Sequence, residues 1–372
     1  MKIGIITLPL RTNYGGILQA YALQKTVLQL GHDVTIIEKE RLFKIPYWKK
    51  PYVYGKRIVK TILGKKTPIF LEKRLETDIP IIEQHTRRFI QNNIHRIYYK
   101  DFKYINPNEY DAFIVGSDQI WRPKYFGVNN ITNAYLGFAK DWNIKRIAYA
   151  VSFGTSDWEY TSKQTAKCKK LIDLFNAISV REYSGSELCE KHFSISAEHV
   201  LDPTLLLTKD DYIHLIKDYI NEPHKGDAFC YFLDDTPQKR LLAQNIIDTH
   251  KLTAFTVKSM PQIINNPIQY KICPPIEEWL KCFYDASLVI TDSFHACVFS
   301  IIFQKPFIAI GNQERGMARF KSLMKLFGTE DRLITTYDTK LTFKEIDWEN
   351  INSTLRLYRQ KSIDFLKSAL NK

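Results

Sequence analysis

The chain has 372 residues, of which 45% are hydrophobic and 25% charged, and it carries a formal net charge of +13. This length exceeds one ordinary hydrophobic core and suits two domains, and the mixed composition excludes a disordered or fibrous chain. No segment approaches the run of about 18 apolar residues that a membrane-spanning helix needs, so a transmembrane protein is not predicted.

The first part of the chain alternates between strand and helix patterns. A β-branched strand at 3–7, an amphipathic helix at 17–30 and a strand at 34–37 form a βαβ unit, which is typical of parallel, doubly wound sheets. The alternation pauses and then resumes with strands at 112–116, 146–150, 177–180 and 199–201 and helices near 162–175 and 184–192. These patterns predict a Rossmann-like domain over residues 1–203, with an insertion at about 41–105.

A second alternating set follows the Leu201-Asp-Pro-Thr boundary. It has strands at 228–233, 253–257, 287–291 and 306–310 and helices at 237–250, 276–284, 294–303 and 315–327. We therefore predict a second Rossmann-like domain over residues 204–345. The remaining residues, 346–372, predict an amphipathic helix that packs back on the first domain. The fold class is α/β, with two doubly wound domains facing a cleft.

Part of the insertion, residues 41–76, is strongly basic and aromatic. It contains eleven Lys and Arg residues, against only Glu72 and Glu76. A positive surface of this kind favours an anionic partner. One interpretation is peripheral contact with anionic lipid headgroups. The other, which we favour from the sequence, is a solvated insertion at the mouth of the cleft that attracts anionic substrates. No nucleic-acid-binding module accompanies the charge, so nucleic acid is not an expected partner.

The six cysteines are scattered, without a C-x-x-C pair or a regular spacing. This pattern argues against a zinc site and against a disulfide framework, and it suits a reducing cytoplasm. We therefore predict a cytoplasmic protein without a bound metal, located at the inner face of the membrane if the basic segment contacts lipid.

Ligands bind beyond the carboxyl ends of the strands in such sheets, and polar clusters follow four of the predicted strands. The first is the loop Asn13-Tyr14-Gly15-Gly16, followed by Gln19. Paired glycines allow a ligand to approach the backbone closely, although a tight turn explains them equally well. The loop is not a G-x-G-x-x-G dinucleotide motif.

The second cluster is Ser117-Asp118, followed by Trp121. Trp121 is a candidate for stacking on a sugar ring, and Asp118 is a candidate for catalysis or for a helix N-cap. The third is Arg181, a guanidinium suited to a phosphate or carboxylate, or to an internal ion pair.

The fourth cluster is Thr291-Asp-Ser293-Phe-His295. An imidazole at the end of a strand is well placed for general acid–base catalysis near pH 7. Downstream, Arg315 and Arg319 lie four residues apart on one predicted helix and form a candidate anion clamp.

At these residues the sequence resembles the polysaccharide pyruvyl transferase family. The matching segments, in chain order, are Asn13-Tyr-Gly-Gly-Ile-Leu-Gln, Gly116-Ser-Asp-Gln-Ile-Trp, Tyr149-Ala-Val-Ser-Phe-Gly, Ser179-Val-Arg-Glu, Leu201-Asp-Pro-Thr, Thr291-Asp-Ser-Phe-His and Gln304-Lys-Pro-Phe. The resemblance implies a fold like that of B-type glycosyltransferases, with phosphoenolpyruvate as the donor and a pair of sugar hydroxyls as the acceptor. The implied product is a pyruvate ketal on a surface polysaccharide or its precursor.

The chain departs from the family pattern at two positions. Many members carry an arginine where this chain has Ser293, so Arg315, Arg319 or a lysine must take its place if that arginine grips the donor. Many members also have an acidic residue where this chain has Gly16-Ile17.

The resemblance implies roles for the clustered residues. His295 is the leading candidate to protonate the methylene carbon of phosphoenolpyruvate, and Asp118 is a candidate base or sugar-orienting group. Arg181, Ser293, Arg315 and Arg319 are predicted to hold the donor. The predicted acceptor side consists of Asn13, Tyr14, Gly15, Gly16, Gln19, Ser117 and Trp121. No cofactor beyond phosphoenolpyruvate as co-substrate is expected. The competing prediction is a glycosyltransferase of the same architecture that uses a nucleotide sugar.

Overall fold

The computed structural model describes residues 1–41, 45–64, 68–257, 266–311, 316–335 and 344–371. Its first domain is built on a seven-stranded parallel sheet with the strand order β3-β2-β1-β4-β5-β6-β7. The strands are β1 (Lys2–Ile6), β2 (Asp33–Lys39), β3 (Arg96–Tyr99), β4 (Ala112–Val115), β5 (Lys145–Val151), β6 (Ala177–Val180) and β7 (Glu198–His199). The order reverses between β1 and β4, and this switch point is where a doubly wound sheet opens a crevice for ligands.

The first domain contributes seven α-helices within the described residues. They are α1 (Tyr14–Gln29), α2 (Lys50–Ile62), α3 (Leu71–Ile82), α4 (Gln84–Asn93), α5 (Pro123–Phe126), α6 (Ser162–Ile172) and α7 (Tyr183–Phe193). Thr161 starts α6 with a capping box that it shares with Gln164. Part of the predicted insertion belongs to the sheet itself, since β3 pairs in parallel with β2.

The second domain has a five-stranded parallel sheet with the order β12-β11-β10-β8-β9. Its strands are β8 (Ala228–Tyr231), β9 (Ala254–Phe255), β10 (Leu288–Thr291), β11 (Phe307–Ile310) and β12 (Leu333–Ile334). Its helices are α8 (Lys209–Leu215), α9 (Pro237–His250), α10 (Ile276–Asp285), α11 (Phe294–Phe303) and α12 (Ala318–Phe327). Two parallel sheets covered by helices confirm the predicted α/β class with two Rossmann-like domains.

The last helix, α13 (Trp348–Asn371), lies against the first domain. The hydroxyl of Ser362 accepts a hydrogen bond from the Leu201 amide at 3.0 Å, and the Lys145 ammonium donates to the Leu370 carbonyl at 2.7 Å. The chain therefore crosses back to the first domain after completing the second.

The two domains share one continuous core. A single cluster of buried apolar side chains extends from Ile3 in β1 to Phe299 in α11. The Tyr14 hydroxyl adds a hydrogen bond across the domains, to the Pro274 carbonyl at 2.8 Å. All six cysteines are free thiols, and only Cys230 is not fully buried. None of the helices in the described ranges combines the length and apolar character that crossing a membrane would require.

Candidate active site

The loop after β1 contacts the start of α11 in the other domain. Asn13 caps α1, since its side-chain oxygen accepts a hydrogen bond from the Gly16 amide at 3.2 Å, and this places Gly15 in the first turn. A Cβ atom on Gly15 would lie 2.1 Å from Nδ1 and 2.2 Å from Cγ of His295. Only glycine fits there, so the absence of a side chain allows two sequence-distant motifs to meet.

His295 lies in the first turn of α11, directly after β10. Ser293 caps this helix by accepting a hydrogen bond from the Ala296 amide at 3.4 Å. The imidazole is 6% exposed, and its Nε2 lies 3.6 Å from Oδ2 of Asp202. This separation is just beyond a hydrogen bond. Asp202 is therefore placed to stabilise the imidazolium form.

Arg181 organises the carboxylates around the imidazole. Its Nη1 donates to Asp202 at 2.5 Å, and its Nη2 donates to Asp118 at 3.1 Å. The guanidinium side chain is fully buried. Since both terminal nitrogens are engaged by carboxylates, this arrangement corresponds to the internal ion pair that the sequence left open. Arg181 supports the site and is not free to grip a donor in this form.

These contacts set the ionisation of the buried acids. Burial acts to raise the pKa of Asp202, but the neighbouring His295 and Arg181 outweigh it and hold the pKa well below its ordinary value. The pKa of Asp118 is lowered in the same way, with burial opposed mainly by Arg181, His295 and Arg319. Both acids are therefore carboxylates at neutral pH.

A second buried arginine completes the charge cluster. Arg181 and Arg319 both lie against the ring of Phe294, with their guanidinium carbons 4.8 and 5.3 Å from its centroid. Burial and the nearby Arg181 lower the pKa of Arg319 to about 10. An anion bound beside Arg319 would relieve this repulsion, which is consistent with the predicted anion clamp. Its predicted partner, Arg315, lies outside the described residues.

The loop after β5 forms a further contact between the domains. Glu182 holds this loop, since its carboxylate accepts hydrogen bonds from the Ser152 hydroxyl at 2.5 Å and the Gly154 amide at 2.9 Å. A Cβ atom on Gly316 in the second domain would lie 1.7 Å from the Gly154 carbonyl oxygen. Gly316 also has a φ of +97°, which other residues rarely adopt. Gly154–Gly316 is thus a second close glycine contact between the domains, in addition to Gly15–His295.

The position of Trp121 calls for a correction of the sequence prediction. Its ring is 0% exposed and stacks on Tyr135 with centroids 4.7 Å apart. Its indole nitrogen donates to the Ala134 carbonyl at 2.9 Å. No face of the ring is open to a sugar, so stacking on an acceptor does not follow from its location. Trp121 packs in the core beneath the loop.

Other residues that we predicted on the acceptor side also support the loop from within. Gln19 is fully buried, and its amide donates to Thr7 and to the Gly16 carbonyl, each at 2.9 Å. Ser117 is likewise fully buried, 3.4 Å from the Asp202 carboxylate. Asn13 is the predicted acceptor residue with an exposed side chain, and its amide donates to Asp118 at 3.4 Å.

Two cavities flank this cluster. One, of about 420 Å³, lies at the carboxyl ends of β1 and β2 and is lined by residues that include Arg11, Asn13, Lys39, Tyr125 and Asn133. The other, of about 490 Å³, lies between the starts of α7 and α12 and is lined by residues that include Thr155, Ser184, Gly316, Lys321 and Lys325. No group of three or more His, Cys, Asp or Glu residues in the described part of the chain is arranged to hold a metal ion.

Sequence reasoning gave Asp202 no role, although it lies at the centre of the cluster. Its carboxylate contacts Arg181 and His295 and accepts hydrogen bonds from the amide and hydroxyl of Thr204. The sequence segment that contains Asp202, Leu201-Asp-Pro-Thr, enters the sequence analysis only as a domain boundary and as part of the family resemblance. Its position after a short strand at the carboxyl edge of the sheet is what could have identified it.

Comparison with solved structures shows the same fold. The chain is similar to the UDP-GlcNAc 2-epimerase of Neisseria meningitidis, solved with UDP-GlcNAc bound, with a TM-score of 0.50 and 10% identity, covering 98% of this chain and 94% of that one. It matches the UDP-GlcNAc 2-epimerase of Methanocaldococcus jannaschii with a TM-score of 0.50 and 13% identity, covering 97% and 99% of the two chains. At these identities the likeness concerns the fold alone.

Comparison of sequences gives the family. No curated protein sequence was found to match the chain. The family model for polysaccharide pyruvyl transferase, however, matches residues 13–314. That span contains the Asn13–Gly16 loop, Asp118, Arg181 and His295, and it covers most of both domains. The chain belongs to the polysaccharide pyruvyl transferase family.

Proposed function

We propose that the protein transfers the pyruvyl group of phosphoenolpyruvate to two hydroxyls of a sugar in a surface polysaccharide or its precursor. The products are a pyruvate ketal and inorganic phosphate. The observation that carries this proposal is the placement of His295, held between Gly15 and Asp202 where the two domains meet. An imidazole beside a buried carboxylate is suited to general acid–base catalysis.

The reaction begins at the methylene carbon of the donor. His295 transfers a proton to this carbon, and C2 becomes oxocarbenium-like. A sugar hydroxyl forms a bond to C2, and its proton returns to the neutral imidazole. The C2–O bond to phosphate then breaks, and the second hydroxyl adds to C2 as its proton leaves with phosphate. Each turnover forms two C–O bonds and one C–H bond, and none of these steps requires a cofactor or a metal.

The buried acids have supporting roles in this scheme. Asp202 stabilises the protonated imidazole, and Arg181 keeps both carboxylates in position. Asp118 is a poor proton acceptor at neutral pH because its pKa is lowered. We therefore assign Asp118 to orienting Asn13 and the acceptor hydroxyl, which is the second of the two roles that the sequence allowed.

The two cavities suggest where each substrate binds. The cavity beside Asn13 offers amides, Arg11 and Tyr125, which suit a sugar with an anionic substituent. The interdomain cavity is lined by Lys321 and Lys325 and also by Asp157 and Glu187. We assign the phosphate and carboxylate of the donor to its lysines and to the two helix N-termini beside them. These lysines, together with Arg319, take the place of the family arginine that Ser293 replaces. Because the imidazole is covered, the domains must part at Gly15 for the substrates to meet it.

A thermal-shift experiment separates this proposal from its alternative, a nucleotide-sugar-dependent glycosyltransferase. The melting temperature of the full chain is measured with phosphoenolpyruvate, with UDP-GlcNAc and with single-stranded RNA. A ligand at 100 times its dissociation constant stabilises its protein by about 2.7 kcal/mol. We expect phosphoenolpyruvate to raise the melting temperature and the other two to leave it unchanged. A rise with UDP-GlcNAc alone would favour the glycosyltransferase.

A further inference from the structure

Helix α2 exposes its apolar side to solvent. Five side chains define what we call the α2 apolar face: Trp48 in the turn before the helix, then Tyr52, Val59, Ile62 and Leu63. Their exposed fractions are 73%, 72%, 55%, 78% and 72%, and no residue of the helix is buried. A surface helix of a globular protein normally turns its apolar side to the core. In α2 the apolar side faces solvent instead.

The polar side of α2 attaches it to the protein. Arg57 makes a two-pronged ion pair with Glu72 in α3, with nitrogen–oxygen distances of 2.7 and 2.6 Å. Tyr54 packs against Phe70 with ring centroids 5.3 Å apart. Tyr54 and Arg57 lie on the side of the helix opposite the α2 apolar face. The attachment therefore fixes the apolar face outward.

The charges around this face are all positive. Residues 45–64 contain no Asp or Glu. Lys49, Lys56 and Lys60 are spaced so that they border one edge of the apolar face, and Lys50 lies farther round the helix. None of these four lysines forms an ion pair within the part of the chain that the structure describes. The segment thus combines exposed aromatic and aliphatic side chains with unopposed cations.

We propose that α2 lies in the surface of an anionic lipid bilayer, with the α2 apolar face among the acyl chains and the lysines at the headgroups. Tryptophan and tyrosine favour the membrane–water interface, and lysines near an anionic surface add to binding. A nucleic acid would leave Val59, Ile62 and Leu63 uncovered. Pairing of α2 with a second copy would bring two sets of lysines together. The exposed apolar face thus favours lipid over the substrate-attracting role preferred from the sequence, and this inference does not depend on pyruvyl transfer.

Vesicle flotation of the full chain tests the proposal. Vesicles of phosphatidylcholine alone are compared with vesicles that also contain phosphatidylglycerol. We expect the chain to float with the anionic vesicles and to dissociate as salt is raised. The apolar variant Trp48→Ser/Ile62→Ser and the charge variant Lys56→Glu/Lys60→Glu should each bind at least about tenfold more weakly.

Matched substitutions elsewhere serve as controls. Leu241→Ser removes an exposed leucine of α9, and Lys167→Glu/Lys170→Glu reverses two exposed charges on α6. Both should float like the wild type. Equal loss in these controls, or failure of the wild type to float with anionic vesicles, would overturn the proposal. Light scattering gives a further test. If the wild type self-associates and Ile62→Ser abolishes this association, a second copy of the chain occupies the α2 apolar face, and the proposal is overturned.

Fluorescence gives an independent readout of the inserted face. Trp48 is exposed, whereas Trp121 and Trp279 are buried in the core. Anionic vesicles should shift the emission of the wild type to shorter wavelength, and lipid-borne bromine should quench it. Trp48→Phe should still float but lose both signals. Retention of both signals in Trp48→Phe would place the contact elsewhere and contradict the proposal.

Discussion

Gly15 and His295 are in contact although they belong to different domains. A Cβ atom on Gly15 would overlap the imidazole, at 2.1 Å from Nδ1. A substrate that reaches the ring from this side must therefore lie between the ring and the Gly15 loop. The contact makes access to the His295 ring depend on the separation of the two domains.

Gly15→Ala should impair turnover more than stability. The added methyl meets the rigid inner atoms of the ring, so His295 must be displaced or the domains must stay apart. A misplacement of about 1 Å costs on the order of 10²-fold in rate. Steady-state kinetics and thermal melting of the variant check this.

Gly55→Ala is the matched control, because Gly55 lies in α2 with nothing within 4 Å of a Cβ atom. It should leave turnover unchanged. Wild-type turnover in Gly15→Ala would show that the close approach has no catalytic importance.

Arg181→Met should be strongly destabilising. The substitution leaves Asp118, Asp202 and Glu182 buried without their shared cation, and such a loss costs about 3–5 kcal/mol. Arg181→Lys should recover only part of this, because an ammonium cannot reach both carboxylates in the fork geometry of a guanidinium. Urea unfolding measures the free energies. A cost below about 1 kcal/mol for Arg181→Met would contradict the central place given to this residue.

The folding stability should depend on pH through His199. Its Nε2 is 3.2 Å from the Arg181 carbonyl oxygen and 3.3 Å from the Ser322 hydroxyl, and its ring stacks on Tyr183. Burial lowers the pKa of His199 from 6.5 to about 4, although the contact with the Arg181 carbonyl opposes the shift. Between these two values the unfolded chain binds the proton and the folded chain does not.

Stability should therefore fall as pH drops from 6.5 towards 4, by about 2 kcal/mol for this group after allowance for its partial exposure. His199→Gln should remove this part of the slope. Urea unfolding at several pH values in this window checks the prediction. An identical slope in the variant would assign the pH dependence to other groups.

Arg319→Gln should weaken donor binding. The lowered pKa of Arg319 reflects burial and repulsion by Arg181, which a bound phosphate or carboxylate would offset. Loss of a hydrogen bond to a charged group costs about 1.5–3 kcal/mol, or roughly 10- to 150-fold in affinity. Calorimetric titration with phosphoenolpyruvate measures the change. If the affinity for phosphoenolpyruvate is unchanged, Arg319 does not bind the donor, and Lys321 and Lys325 are the remaining candidates.

The sequence predicted helices and strands well where the apolar pattern is long or where capping residues mark its ends. The helices at 237–250 and 294–303 have the observed bounds, since Thr236 and Ser293 cap them and leave a clear start. The edge strand β3 was missed, because its residues are mostly half-buried and show no apolar alternation. The two-residue strand β12 is too short to give a pattern.

The site was only partly predictable. The polar clusters at strand ends follow from the fold, and these contain Asp118, Arg181 and His295. Which of them pair depends on contacts between distant segments, so the sequence left an internal ion pair of Arg181 open but did not identify Asp202 as its partner. The burial of Trp121 was missed for a similar reason, because an aromatic residue after a strand gives no indication of whether its ring faces the cleft or the core.

The most direct test of the account is the fate of phosphoenolpyruvate in heavy water. The protein is incubated with phosphoenolpyruvate and a panel of nucleotide-linked and lipid-linked sugars, and phosphate release and the product methyl group are followed. We predict phosphate release that needs a sugar, one deuterium in the ketal methyl group, and a rate about 10²–10⁴-fold lower for His295→Gln. His224→Gln, at an exposed histidine of the second domain, should match the wild type. Phosphate release at the wild-type rate by His295→Gln would contradict the account.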